Sequence, residues 1–402
     1  AATEPRRTIA TGDVRSIGPA TSSSPPSLGT RHYLARRRRR DGTSRVRSAG
    51  PATSSIVWTR RPACRIACGN KTPRQGPGMK TRITEMFGVE TPIVMGGMTG
   101  VGYADLVAAV ANAGALGFIT AHMFKSGAEL LDEIEKTKSL TDKPFGVNLT
   151  LLPSINPIPY DDYREAIIHS GIKIVETAGR APTDHLPRFK EAGVKVIHKC
   201  TSVRHSVSAV KHGVDVISID GFECAGHPGE DDIGLIVLLP ATVDAVNVPV
   251  IASGGMADGR SLVAALALGA DAVNMGTRFL ATKEARIHDN VKQAIVKGDE
   301  RDTVLVGRSL RNTARVAKNA ISVQVAEIQK DPTKTFADVK ELMAGVRGRE
   351  NVLVGGDLDG GIWTTGQSQA LIHDIPTCAE LVRNIMAQAD GILAERFARI
   401  AA

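Results

Sequence analysis

The sequence predicts an α/β fold of the TIM (β/α)8-barrel type, beginning near Met79. Three observations carry that prediction. Between residues 92 and 277, eight short runs rich in β-branched residues alternate with Ala- and Leu-rich segments of helical spacing. The runs are nearly continuous in apolar residues, as parallel strands buried on both faces must be. Glycines cluster where the runs end, which is where a barrel carries its site. An open doubly wound sheet is the competing arrangement. Eight strands are many for it, and no G-x-G-x-x-G follows the first.

Taken in order, the first strand is PIVMGGM (92–98). YADLVAAVANAG (103–114) follows it with apolar residues at helical spacing, and Gly114 suits the end of that helix. LGFIT (116–120) and FGVNLT (145–150) are the second and third strands. IKIVETA (172–178) is the fourth, and VKVIHKCT (194–201) is the fifth. VDVISID (214–220), the sixth, runs into the loop GFECAGHPGEDD (221–232), where His227 stands among glycine, proline and acidic residues. VPVIASGG (248–255) and ADAVNMGT (270–277) complete the set, separated by the helical GRSLVAALALG (259–269). The barrel core so defined spans about 90–285, with a C-terminal extension completing the folded part, 79–402.

With 402 residues, 42% of them hydrophobic, the chain is long enough for a sizeable core. No run approaches the ~20 apolar residues of a membrane-spanning helix, so no membrane association is expected. Cys64, Cys68, Cys200, Cys224 and Cys378 are scattered and odd in number. They form neither a disulfide framework nor a zinc pattern, so a cytoplasmic setting and no metal are expected. The net charge of +8 is unevenly placed: residues 1–78 hold 16 Lys/Arg against 3 Asp/Glu, and the remainder holds 34 against 39. Nucleic-acid binding by the folded part is therefore not expected. Residues 1–78 carry the near-repeat RSIGPATSS (15–23) and RSAGPATSS (47–55) and the run RRRRR (36–40), a composition expected to be disordered. They read as an over-long start or processed leader; a transit peptide or a nucleic-acid-binding arm are the alternatives.

The strand ends concentrate the chemistry. Ser253, Gly254 and Gly255 after the seventh strand, and Gly276 and Thr277 after the eighth, form consecutive turns whose backbone N–H groups can approach a phosphate. A phosphate-bearing ligand is expected there. His227 is either a solvated loop residue or a proton-handling group. Its neighbours Glu223, Glu230, Asp231 and Asp232 read as loop charge, or as a cap for a helix near Gly234, rather than as a cation site. Cys200, at a strand end, reads as a core cysteine.

These segments, with RSLRNTARVAKNAIS (308–322), resemble the nitronate monooxygenase family, formerly called 2-nitropropane dioxygenases, over most of 79–402. The resemblance implies an FMN-dependent oxidoreductase on a TIM barrel with a smaller helical domain, C-terminal or inserted. It implies that Gly97, Thr150, Lys199, Asp220, Ala225, Ser253, Gly254, Gly255, Gly276 and Thr277 contact FMN, that Gly226 lies beside the substrate and that His227 is catalytic. The implied reaction oxidises nitronates with O2 to a carbonyl compound and nitrite, with His227 as the base when the substrate is a neutral nitroalkane. TLLPS (150–154), HKCT and ECAGHPGEDD also resemble a branch containing NADH:quinone reductases, and flavin-dependent enoyl-ACP reductases share the barrel, the cofactor and a similar loop. The electron donor stays open among these, with NADH one candidate, and a flavin-binding module without turnover is the remaining reading. Where the family loop commonly reads E-A-G-G-H, this chain has Glu223-Cys224-Ala225-Gly226-His227, which keeps the small residues.

In residue terms, Lys199 offers a cation to the flavin N1 and C2 oxygen, or else pairs with a neighbouring acid. Thr150 offers a hydroxyl, or is a turn residue, and Asn148 lies on the same strand face by period-2 alternation. Asp220 is a ribityl acceptor or a strand-end cap. A chain shortened to begin at Met79 is expected to fold and keep flavin and activity; soluble yield and flavin absorbance check this, and loss of soluble protein would show that residues 1–78 are required.

Overall fold

The computed structural model describes residues 79–151 and 158–401; the leader reading of 1–78, and most of TLLPS, lie outside the described residues. Eight parallel strands pair in sequence order and close into a barrel: β1 (Ile93–Met95), β2 (Leu116–Thr120), β3 (Gly146–Leu151), β4 (Ile174–Gly179), β5 (Lys195–Cys200), β6 (Val216–Asp220), β7 (Val250–Ser253) and β8 (Ala272–Asn274). Each falls within one of the eight runs, except that β3 and β4 run one residue further, to Leu151 and Gly179. Closure comes from β8, which pairs with β1 through Ile93↔Val273 and Val94↔Asn274.

The helices have local reasons to start and stop where they do. A short α1 (Arg82–Phe87) precedes the barrel, capped by Thr81, whose side chain accepts from Thr84 N. Then come α2 (Ala104–Asn112), α3 (Gly127–Leu140), α4 (Tyr160–His169), α5 (Leu186–Glu191), α6 (Val203–His212), α7 (Leu235–Ala245), α8 (Gly259–Ala267) and the one-turn α9 (Thr277–Leu280). Ser202 caps α6, and Gly213 ends it at φ 96°, a conformation open to glycine at little cost. Asp258 and Ser261 form a reciprocal capping box on α8.

The barrel interior is divided into two levels. Strand alternation sends Val94, Leu116, Phe118, Ile174, Ile197, Val216, Ile251 and Ala272 into one apolar cluster, joined by Ile83 and Phe87 of α1, which seal the end where strands begin. Gly146 has no side chain because Phe118 fills its place: a Cβ there would lie 2.4 Å from Phe118 Cε1. One step further along the strands, the same inward parity brings Asn148, Glu176, Lys199, Ser218, Asp220, Ser253 and Asn274 together. Outward residues such as Val147, Val175, Val196, Ile217 and Ala252 form the larger cluster beneath the helices.

After β8 the chain adds α10 (Asp289–Lys297), then an antiparallel hairpin of β9 (Thr303–Val306) and β10 (Ala314–Ala317), then α11 (Ala320–Ile328). The helix Cys378–Gly391 returns to pack on α8, where Gly259 N donates to Gln388 Oε1 at 2.7 Å. The expected extension is thus present, and it contains a hairpin besides its helices. Its own core is small: Val306, Val316, Val325 and Val339. Among the described residues no helix is long and apolar enough to cross a membrane.

Phe118→Ala should cost roughly 3–5 kcal/mol, the usual range for emptying a buried aromatic site. Urea unfolding of the flavin-free protein measures it; a cost under about 1 kcal/mol would show that the lower level does not depend on this ring.

Candidate active site

A cavity of about 750 Å³ opens over the C-terminal ends of the strands. Gly97, Thr150, Lys199, Asp220, Ala225, Gly226, His227, Ser253, Gly254, Gly255, Gly276 and Thr277 all line it. The twelve residues that the resemblance assigned to the cofactor, the substrate and catalysis therefore converge on one space. Neither sequence proximity nor composition requires that, since the twelve come from the ends of six strands.

The floor is a hydrogen-bonded network centred on a residue that the sequence reading passed over. Glu176 of β4 is 1% exposed. Its Oε2 accepts from Gly97 N at 2.8 Å and from Asn148 Nδ2 at 2.6 Å, and its Oε1 lies 3.5 Å from Lys199 Nζ. Thr150 Oγ1 donates to Asn148 Oδ1 at 2.9 Å, which spends the hydroxyl proton and leaves Thr150 an acceptor towards the cavity. Asn148, 2% exposed, supports the floor from below instead of lining it. On the far side Asn274 Oδ1 accepts from Gly96 N at 2.8 Å, and its Nδ2 donates to Ser253 Oγ at 3.2 Å. Glycine at 97 is a packing requirement, because a Cβ would sit 2.3 Å from that of Asn148.

The electrostatics follow from this. The Lys199 side chain is 18% exposed, open towards the cavity. Burial works against its charge, but the carboxylates of Glu176 and Asp220 outweigh burial and raise its pKa, so it is an ammonium at neutral pH. Cys224 is held neutral by burial, and the Cys200 thiol is pushed up to about 12 for the same reason, so neither is a nucleophile.

The His227 loop is fixed from outside the barrel. Gly226 N donates to Arg315 O at 3.0 Å, and Arg315 N returns a bond to Gly226 O at 2.6 Å. The Arg315 guanidinium stacks 4.5 Å from the Phe222 ring centroid and donates to Phe222 O. Glu230 accepts from Thr313 N at 2.9 Å and from its hydroxyl, and Asp232 pairs with Arg308. Glu223 accepts from Leu235 N at 3.0 Å, which caps α7. Glu230 and Asp232 thus hold the hairpin region, and Glu223 holds a helix. His227 itself is exposed at the cavity wall and has no hydrogen-bond partner among the described residues. Loops crowd it enough for desolvation to lower its pKa, with Glu230 opposing, so the ring is neutral at pH 7.

Three cavity histidines were missed: His122, His198 and His205. His198, 4% exposed, bonds Thr177 Oγ1 through Nδ1 at 2.8 Å, and burial drops its pKa to about 4. His122 Nε2 lies 2.9 Å from Thr99 Oγ1. Only the inward parity of strand positions marks Glu176 in the sequence, and nothing marks the histidines.

A closed (β/α)8 barrel with a cavity over its strand ends, floored by a half-buried lysine and walled by a neutral histidine, has the architecture of a barrel enzyme. The pattern of the nitronate monooxygenase family matches residues 80–388, and the chain belongs to that family. It is 32% identical, over 80% of this chain and 97% of the relative, to a (3aS,4S,5R,7aS)-5-hydroxy-7a-methyl-1-oxo-octahydro-1H-indene-4-carboxyl-CoA dehydrogenase from Rhodococcus jostii. It is 31% identical to a probable nitronate monooxygenase of Staphylococcus saprophyticus, over 78% of this chain and 99% of the relative. FabK from Thermotoga maritima superposes with a TM-score of 0.74 at 35% identity, covering 80% of this chain and 99% of that one.

Membership makes this a flavin enzyme, and the residues present fit a flavin. Asp220 Oδ1 is a buried acceptor without a partner among the described residues. A Cβ on Gly276 would meet only Met98 Sδ, at 3.6 Å, so the space above it is open cradle. Gly254 (φ 96°) and Gly255 (φ 73°) hold the adjoining turn in left-handed backbone, where other residues are strained. Gly255→Val and Gly276→Val should each abolish flavin retention, the first by backbone strain and occupancy, the second by occupancy alone. The flavin-to-protein ratio after gel filtration checks this, and a normal ratio in Gly276→Val would remove the β8 turn from the cofactor site.

Proposed function

We propose that the chain is an FMN-dependent enzyme that oxidises nitronates with O2 to a carbonyl compound and nitrite. The observation that carries this reading is a neutral His227 with no protein partner among the described residues, set in the wall of a cavity whose floor cation is Lys199. A neutral imidazole can take a carbon-bound proton, and a cationic floor favours the anion left behind. Arg180 and Arg311 also line the cavity, and neither is in an ion pair among the described residues, which adds attraction for an anionic substrate.

In this reading Gly254, Gly255, Gly276 and Thr277 hold the terminal phosphate, Ser253 and Asp220 take hydroxyls of the ribityl chain, and Gly97, Thr150 and Lys199 lie at the ring. Ala225 and Gly226 carry the loop close to it without side chains in the way. A bound flavin supplies a two-electron acceptor that O2 can reoxidise. The single terminal phosphate favours FMN, since the chain has no dinucleotide fingerprint. His227 takes the proton from a neutral nitroalkane and has no proton to remove from a preformed nitronate.

A second reading, transfer between NADH and an acyl thioester, is supported by the volume of the cavity, its two arginines and the resemblance to the Rhodococcus dehydrogenase, whose name specifies a carboxyl-CoA substrate. NADH with a quinone belongs to the same set of assays.

His227→Asn should retain flavin and the oxidation of propionate 3-nitronate, while turnover of neutral nitroalkanes falls roughly 10²–10⁴-fold. Because the pKa is lowered, the basic form persists below the ordinary histidine value of 6.5. The kcat/KM for nitroalkanes should therefore stay level through neutrality and decline only under acid conditions. Nitrite release under O2 is the direct assay. An enzyme inert towards nitronates but bleached by NADH, and reoxidised by an enoyl thioester, would move the assignment to the second reading. Equal rates for wild type and variant on every substrate would leave the loop as scaffold.

A further inference from the structure

We propose that Glu176 is a positioning residue that keeps Lys199 charged beneath the flavin, so that the pair, rather than the lysine alone, sets the flavin's reduction potential. The inference rests on the flavin reading above. Glu176 faces into the barrel, 1% exposed, where an uncompensated carboxylate is strongly disfavoured. Its oxygens have separate duties: Oε2 takes the Gly97 and Asn148 donors, which leaves Oε1 to Lys199 Nζ at 3.5 Å. Those donors come from the β1 turn, from β3 and from β5, so one side chain ties three strand ends together.

The surrounding groups fix this arrangement. With Oδ1 of Asn148 accepting from Thr150, its Nδ2 is the atom that must meet Glu176. Gly96 crosses directly over the pair: a Cβ there would lie 2.7 Å from Glu176 Oε1 and 2.9 Å from Lys199 Nζ. The groups facing Lys199 are Glu176 on β4, Asp220 on β6 and the Cys224 thiol in the following loop. Among the described residues only Glu176 is within ion-pair distance. Take away its charge and only Asp220 still opposes burial, so the pKa of Lys199 falls towards the neutral range. A neutral lysine no longer favours negative charge on the ring edge.

Glu176→Gln tests this, since the amide keeps the shape and an acceptor for the N–H donors while removing the charge. The midpoint potential of the bound flavin is followed against pH. Wild type should show no lysine inflection through the neutral range; Glu176→Gln should acquire one, and the double variant Glu176→Gln/Lys199→Met should lose it again. Parallel curves for wild type and Glu176→Gln in a yellow protein overturn this inference alone, whereas a wild-type protein that cannot hold flavin overturns the flavin reading with it.

Thermal unfolding of the flavin-free proteins gives a second readout if the variant releases its cofactor. A lysine whose folded pKa falls below its unfolded value binds fewer protons when folded, so the stability deficit of Glu176→Gln should narrow as pH rises. The double variant should recover most of that deficit at neutral pH, because no uncompensated charge remains. Deficits that are equal in the two variants and independent of pH would overturn the proposal.

Discussion

A carboxylate with almost no exposure must be fully engaged, and in this barrel that requirement organises everything above the apolar level. The interior below is closed by packing: Phe118 fills the space over Gly146, and α1 seals the end. The interior above has to stay open to a ligand, so packing cannot close it. Glu176 supplies the alternative, a directional network in which Gly97, Asn148 and Lys199 are placed by one acceptor. Thr150, Asn274 and Ser253 extend it to the rest of the rim. The transition from apolar to polar takes one step of two residues along each strand. In β4 it runs from Ile174 to Glu176, and in β5 from Ile197 to Lys199.

Much of this was legible in the sequence because strands buried on both faces leave little room for other residue types. All eight runs became strands, and the twelve residues that the resemblance assigned to the site line the cavity. Lys199 was visible as a charge at the end of an apolar run. Glu176 carries the same signal, an acid inside IKIVETA, but its meaning depends on which residues lie across the barrel, and register between strands cannot be read from one strand. Its parity with Asn148 and Lys199 was the available clue. His198 is on the opposite parity, so a barrel-centred reading had no reason to place it near a cavity.

The hairpin was hidden for a different reason. TVLV and ARVA are four residues each, separated by charged and turn-forming positions, and they form only because the barrel's sixth loop gives them an edge to meet. Arg308, Thr313 and Arg315 lie in RSLRNTARVAKNAIS, which entered the sequence reading only through the family resemblance. Each has a fixed partner in the loop: Asp232, Glu230 and Phe222 with Gly226. The acidic residues around His227 read correctly as helix cap and loop charge, while their partners, far away in the chain, stayed out of reach of local reasoning.

That clasp also has a consequence for the order in which the molecule is made. Glu230 and Thr313 are 83 residues apart. At a synthesis rate of roughly 5–20 residues per second, the loop that presents His227 waits roughly 4–17 s on the ribosome for the strand that holds it. All eight barrel strands precede the hairpin in the chain, so the scaffold and its floor can assemble while the histidine loop is still free at one side. The strand ends of the barrel thus leave the ribosome before the hairpin that fixes the His227 loop. A chain truncated between the barrel and β9 would therefore keep all eight strands of the closed sheet but lose the partners that hold the loop carrying His227.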